Sequence, residues 1–208
     1  MAKIEPFERY YLRYDDWFKE NRFAYLSEVD ALRRFIPKGE EGVEIGIGSG
    51  RFALALGIRF GLDPSLRMLS LARKRGLKVL RGIAENLPFK NNSFDFALIV
   101  TTICFVDSPE TSLRETYRIL KPKGQIVVGF IDKNSSLGRF YMNERKNPFY
   151  SYANFYSVQE IFSLLRNSGF KNLKALQTIF HPLSEIKCKE PVREGYGQGS
   201  FVVVRGIK

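Results

Sequence analysis

Apolar positions along the chain fall into two regimes. Between residues 7 and 36 they recur at helical spacing: Phe7, Tyr10, Tyr11, Tyr14, Trp17 and Phe18, then Phe23, Tyr25, Leu26, Val29 and Leu32. That spacing predicts two aromatic-rich helices, the second stopped by Pro37 and Gly39. From residue 42 onward, short alternating or continuous apolar runs take turns with helical patterns. GVEIGI reads as a strand, RFALAL as a brief helix closed by Gly57, and IRFGL as a second strand. Ser65 caps a helix carrying Leu66, Leu69 and Ala72, and Gly76 closes it. KVLRG is a third strand. FDFALIVTT is a fourth, and its nearly unbroken apolar run suits a parallel strand covered on both faces. Ser108 and Pro109 open a helix at N-cap and N1, with Leu113, Tyr117 and Leu120 facing inward. Pro122 and Gly124 end it before the strand QIVVGFI.

The rhythm breaks at residues 132–156, which show no clear period and hold seven aromatics in 25 residues. An irregular segment of that length inside a compact domain predicts a functional loop or lid. Order resumes with a capping box from Ser157 to Glu160 and a helix that ends at Gly169. Two strands follow, near LKALQTIF and SFVVVRG. Pro182, Pro191 and three glycines between them disfavour a crossover helix, so this pair is expected to be antiparallel. The pattern as a whole predicts one α/β domain with a doubly wound sheet, whose ligands sit at the C-terminal strand ends. Its parts are a helical cap (1–40), a core (41–131), a lid (132–156) and a C-terminal helix with a strand hairpin (157–208).

Composition changes this picture little. The 208 residues include 44% hydrophobic and 14% aromatic residues, which excludes a disordered chain. No apolar run approaches the roughly 20 residues that span a bilayer, and the N-terminus lacks the apolar core of a secretory signal. Cys104 and Cys188 have no metal spacing, so no metal is expected, and a reducing cytoplasm is the expected setting. A net charge of +11 raises the question of nucleic acid. The excess is spread along the chain, and its densest cluster, RKRGLKVLR, reads as a cation-favouring helix C-terminus followed by a polar strand face. Nucleic acid is therefore not the expected partner.

The chemistry concentrates in VEIGIGSGRF, residues 43–52. Gly46, Gly48 and Gly50 alternate in the first strand-to-helix turn, where the backbone can approach a nucleotide closely. A dinucleotide loop would need G-x-G-x-x-G, yet here the third glycine comes one residue early and Arg51 follows. A carboxylate facing the ligand at Glu44 would repel a pyrophosphate and favour a cationic ligand. With GLDPS (61–65), GIAENLPF (82–89), NSFDFALIV (92–100) and LRETYRILKPKGQIVV (113–128), the chain resembles the class I S-adenosylmethionine-dependent methyltransferases, closest to those acting on small molecules and quinone precursors.

The resemblance implies a Rossmann-like, seven-stranded, mostly parallel sheet whose last strand is antiparallel. It also implies S-adenosylmethionine as cofactor, bound by Glu44, Gly46, Ile47, Gly48 and Gly50 in the first turn, and by Asp63, Pro64 and Met68 after the second strand. Ile83, Ala84, Glu85 and Thr101 complete that set. Asp63 is the residue expected to accept both ribose hydroxyls. Ile83 stands where an acceptor for the adenine amino group is usual, so that contact passes to Glu85 or to backbone, or is absent. No Asn- or Asp-Pro-Pro-Tyr motif and no Pro-Cys pair follows the fourth strand, which leaves Cys104 as a packing residue. His181 is the single histidine and reads as structural; no catalytic side chain is assigned. Tyr14, Trp17, Phe105, Tyr141, Tyr150 and Tyr152 are the candidate walls of an acceptor site. The expected activity is methyl transfer to a small molecule. An RNA methyltransferase and a non-catalytic cofactor-binding partner protein are the rival readings.

Overall fold

The computed structural model describes residues 4–208. Its centre is a single sheet of eight strands, one more than expected. They are β1 (Gly42–Ile45), β2 (Phe60–Asp63), β3 (Lys78–Arg81), β4 (Phe94–Val100), β5 (Leu120–Ile131), β6 (Lys171–Thr178), β7 (Arg193–Glu194) and β8 (Phe201–Ile207), in the spatial order β3-β2-β1-β4-β5-β8-β6-β7. The first five pair in parallel, and β8 runs antiparallel to both β5 and β6. The supernumerary strand is β7, a two-residue ribbon on the edge of β6.

Helices cover both faces. α6 (Pro109–Ile119) and α8 (Val158–Asn167) bury Leu113, Ile119, Ile161 and Leu165 on one side. The other side takes α2 (Tyr11–Glu20), α3 (Arg22–Arg33), α4 (Arg51–Leu56) and α5 (Leu66–Lys74), through Phe18, Val29, Leu32, Phe52 and Leu69. Alternation along the strands feeds both layers: Ala97 and Ile99 point into the first core, Phe96, Leu98 and Val100 into the second.

Three local expectations are corrected. Residues 5–33 form three helices rather than two, because the chain breaks at Tyr10 to leave a short α1 (Glu5–Arg9) ahead of α2. The helix after Ser108 ends at Ile119, and Pro122 lies inside β5 near the register shift between Phe94 and Phe96, a position where a strand tolerates proline. Residues 132–156 are not irregular throughout. They contain α7 (Ser136–Asn143), capped by the Ser135 hydroxyl, which accepts from the Gly138 amide, and a 3₁₀ turn at Tyr150–Tyr152. A further 3₁₀ turn occupies Leu183–Glu185. The capping box at Ser157 and Glu160 forms as the spacing predicts. No helix among the described residues is long and apolar enough to cross a membrane.

Strand order reverses at β1, which has β2 on one side and β4 on the other. In a doubly wound sheet the crevice at that reversal, outside the carboxyl ends, is where ligands bind.

Candidate functional site

Beyond Ile45 the chain leaves the sheet through three left-handed glycines, Gly46 (φ 72°), Gly48 (φ 53°) and Gly50 (φ 81°), and enters α4. A side chain at Gly46 would run into Thr102, whose hydroxyl donates to the Gly46 carbonyl at 3.2 Å, so the turn closes only with glycine there. The amides of Gly46 and Ile47 both donate to the Leu62 carbonyl at 2.9 Å, which ties the loop to the end of β2.

There Asp63 accepts the Gly48 amide on Oδ2 and the Ser65 amide on Oδ1, each at 2.9 Å. Burial pushes its carboxyl up to about 6, against the pull of those two amides. A carboxylate has about four lone-pair positions, so two remain for donors arriving from the crevice. Ser65 then caps α5 by accepting from the Met68 amide at 3.2 Å, and this places Met68 in the wall.

The resulting cavity is lined by Gly46, Gly48, Asp63, Pro64, Met68, Ile83, Ala84, Glu85, Thr101 and Phe105 among its residues. Nine of the twelve expected cofactor positions thus converge. Glu44, Ile47 and Gly50 do not line it. Glu44 is buried beneath the loop, one side of its carboxyl against the Ala53 amide and Oε2 with no hydrogen-bond partner. Burial raises its pKa well above the carboxylate range, although the Ala53 amide works the other way. Glu44 is thus tied to the first turn of α4, and its charge acts on Tyr14 in the crevice wall. Glu85 accepts from the amides of Asp107 and Ser108 at 2.8 and 3.3 Å, which fastens the loop after β4 to the segment after β3.

A second cavity, of about 250 Å³, adjoins the first. Phe7, Tyr14, Thr101 and Phe105 belong to both walls. Its remaining lining includes Trp17, Tyr141 and Tyr150, but not Tyr152, whose hydroxyl donates to Glu5 Oε2 at 2.6 Å on the outside. Rings from four segments meet here. Phe7 lies 5.5 Å from Tyr14, 4.9 Å from Phe105 and 5.4 Å from Phe149, and Tyr141 stacks on Tyr150 at 4.0 Å.

At the junction Thr101 is held at φ 47°, a conformation that costs a β-branched residue of the order of 1–3 kcal/mol and that clusters at functional sites. Tyr14 is hydrogen-bonded to it, and burial keeps that phenol protonated far above its ordinary range. A polar crevice thus opens onto an apolar one, and the arrangement can align a nucleoside-borne group with an apolar partner while excluding water.

Several wall residues escaped the sequence reading, Phe7, Thr102 and Glu28 among them. Thr102 carried no signal beyond its place after β4. Glu28 carried one: it stands between Ala24 and Leu32 at i, i+4 spacing, on the stripe that α3 buries. It is 4% exposed and lines the second cavity.

Comparison with known proteins agrees with this geometry. A family model described as "Methyltransferase domain" matches residues 43–128. The crystal structure of a Thermotoga maritima protein, described as a "SAM-dependent methyltransferase, possible histamine N-methyltransferase", superposes with a TM-score of 0.96 at 53% identity over 99% of both chains. The uncharacterized protein MJ1123 of Methanocaldococcus jannaschii is 46% identical over 206 residues, 99% of this chain and 100% of that one. A demethylmenaquinone methyltransferase of Geobacillus sp. is 29% identical over 138 residues, covering 58% of this chain and 59% of its own length.

Proposed function

The chain belongs to the class I S-adenosylmethionine-dependent methyltransferases, and from that premise we propose that it transfers the methyl group to a small-molecule acceptor held in the aromatic cavity. The observation that carries this reading is the pair of adjoining cavities with a shared wall of Phe7, Tyr14, Thr101 and Phe105. When bound, S-adenosylmethionine supplies a methyl group on a positively charged sulfur, ready for in-line displacement.

The residues present fit that group. Asp63, with spare lone pairs, would take the ribose hydroxyls, the left-handed turn at Gly46 and Gly48 would let backbone approach the amino-acid portion, and Ile83 and Ala84 would hold the base. On the acceptor side, Trp17, Tyr141 and Tyr150 shape an apolar slot, and Tyr14 and Thr101 set the passage between the chambers. Catalysis on this reading is alignment and exclusion of water, with segment 132–156 as the acceptor-side lid. Its Asn154 amide donates to the Cys104 carbonyl at 2.8 Å, which fastens the lid to the loop after β4.

The Thermotoga description and the demethylmenaquinone relative both name small acceptors, which supports the reading. Neither cysteine is in a disulfide, which suits a cytoplasmic enzyme. Transfer of a labelled methyl group should be measured across amines, phenols, carboxylic acids and structured RNA. Turnover on a small molecule supports the proposal. Turnover confined to RNA at physiological salt replaces it with the nucleic-acid reading, and S-adenosylhomocysteine binding without turnover on any class points to a partner protein.

A further inference from the structure

Glu28 presents an unusual situation. Its side chain is 4% exposed and lines the acceptor cavity, with no hydrogen-bond or ion-pair partner among the described residues. A carboxylate in such a place carries a desolvation cost of several kcal/mol unless a donor or cation meets it. The protein's own groups do not supply one. The titratable side chains on which its charge acts are the phenols Tyr25 and Tyr141, both held protonated by burial, and Tyr141 is engaged with Tyr150. Arg13 and Glu20 are the other charged residues in the wall, and Arg13 acts on Tyr150. Arg51, from the neighbouring α4, is committed to Asp15 at 2.7 Å. The cavity that Glu28 lines is also walled by the rings of Trp17, Phe18, Phe52 and Phe130. Ring faces attract cations through their quadrupole, most strongly where water is excluded.

An unpaired buried carboxylate among aromatic faces is a receptor for a positively charged group. Resting on the small-molecule reading above, we propose that the acceptor is a cationic amine and that Glu28 pairs with its ammonium. Glu28 is thereby the residue that selects amines over neutral molecules of the same shape.

The ligand-free state adds a measurable signature. Burial pushes the Glu28 carboxyl up to about 8, so it is mostly protonated at neutral pH until a cation arrives. Binding an ammonium requires the ionised form, and at pH 7 about 0.9 proton leaves the carboxyl for each amine bound. Amine affinity accordingly rises about tenfold per pH unit below 8.

The test is calorimetry on the whole protein saturated with S-adenosylhomocysteine. The probes are 2-phenylethylamine, histamine and hexylamine, each beside the alcohol of the same skeleton, in two buffers of different ionisation heat. The expected result is at least tenfold tighter binding of an amine than of its alcohol, with close to one proton released at pH 7. Both features should vanish in Glu28→Gln, which keeps the shape of the side chain and should keep S-adenosylhomocysteine affinity within a few fold. Equal affinity for every amine and its alcohol, measured in the native protein and so independent of any variant's folding, overturns the proposal. So does an amine preference that survives in folded Glu28→Gln. If S-adenosylhomocysteine itself does not bind, the methyltransferase reading of the site fails first; if it binds and no amine preference exists, only the role of Glu28 fails.

Discussion

Acidification should loosen the hold on S-adenosylhomocysteine by an amount that Asp63 sets. Both of its oxygens already accept a backbone amide, and the ribose diol would add two donors to the ionised form. Burial has moved the carboxyl from 3.8 to about 6. If only the carboxylate binds, affinity falls by the factor 1 + 10^(pKa − pH), close to unity at about pH 7.5 and about 11 at about pH 5. The loss is about tenfold, or about 1.4 kcal/mol. Asp63→Asn keeps one acceptor oxygen but no charge. It should weaken binding by about 1.5–3 kcal/mol at neutral pH and remove the slope.

The ligand-free protein carries the opposite sign. A folded pKa above the unfolded value means that the stability contributed by Asp63 is complete below about 3.8 and is lost as pH rises through about 6. The thermal shift produced by ligand should therefore widen from about pH 5 to about pH 7. Isothermal titration of S-adenosylhomocysteine across this range, with the native protein and Asp63→Asn in parallel, measures both effects. A flat affinity in the native protein, or a slope that persists in the variant, refutes the assignment of the diol to Asp63.

Glu44→Gln should flatten the stability profile above the carboxylate range: burial raises the folded pKa of Glu44, so the native protein loses stability as pH rises while the variant does not, and parallel melting curves would contradict this. Asp15→Ala should cost about 2 kcal/mol in denaturant titrations, because it strips Arg51 and Arg75 of a carboxylate that each meets at 2.7 Å. Burial opposes ionisation of Asp15, but the Arg51 contact and its neighbours outweigh it and hold the carboxyl at about 2, so that contribution persists from neutral pH and is lost only as pH falls through about 2. Replacing Phe149 and Tyr150 together by Ala should lower turnover of the acceptor at least about tenfold, about 1.4 kcal/mol in the barrier, while S-adenosylhomocysteine affinity stays within a few fold. The reverse outcome would put the lid over the donor.

The sheet was readable because each strand carries its burial pattern in its own residues. β4 is apolar but for Asp95 since both faces are covered, and the helices on either side of it start at Ser65 and Ser108 with their caps formed. The features that escaped have equally local reasons. β7 is two exposed residues, Arg193 and Glu194, too short for any period. α7 hides behind a glycine in its first turns, yet Gly138 is required there because a side chain would collide with the Asp132 carbonyl. The break between α1 and α2 falls at Tyr10, with neither proline nor glycine to mark it.

The two halves of the site differ in the same way. The crevice beyond β1 and β2 depends on backbone conformations that glycines and Asp63 encode in two short stretches, so nine of the twelve expected positions fall in its lining. The acceptor side depends on which faces of α1, α2, α3 and segment 132–156 come together, and no single stretch encodes that meeting. What joins the two halves is a cluster of charges. Asp15 on α2 holds Arg51, the first residue of α4 beyond the glycine turn, and Arg75 after α5, while Arg75 also donates to the Ser49 carbonyl inside the turn at 2.7 Å. The helix that supplies Tyr14, Trp17 and Phe18 to the acceptor wall is therefore clamped to the loop that shapes the donor crevice. Arg51, which spoils the dinucleotide pattern, shares with Arg75 the carboxylate that joins α2 to the turn.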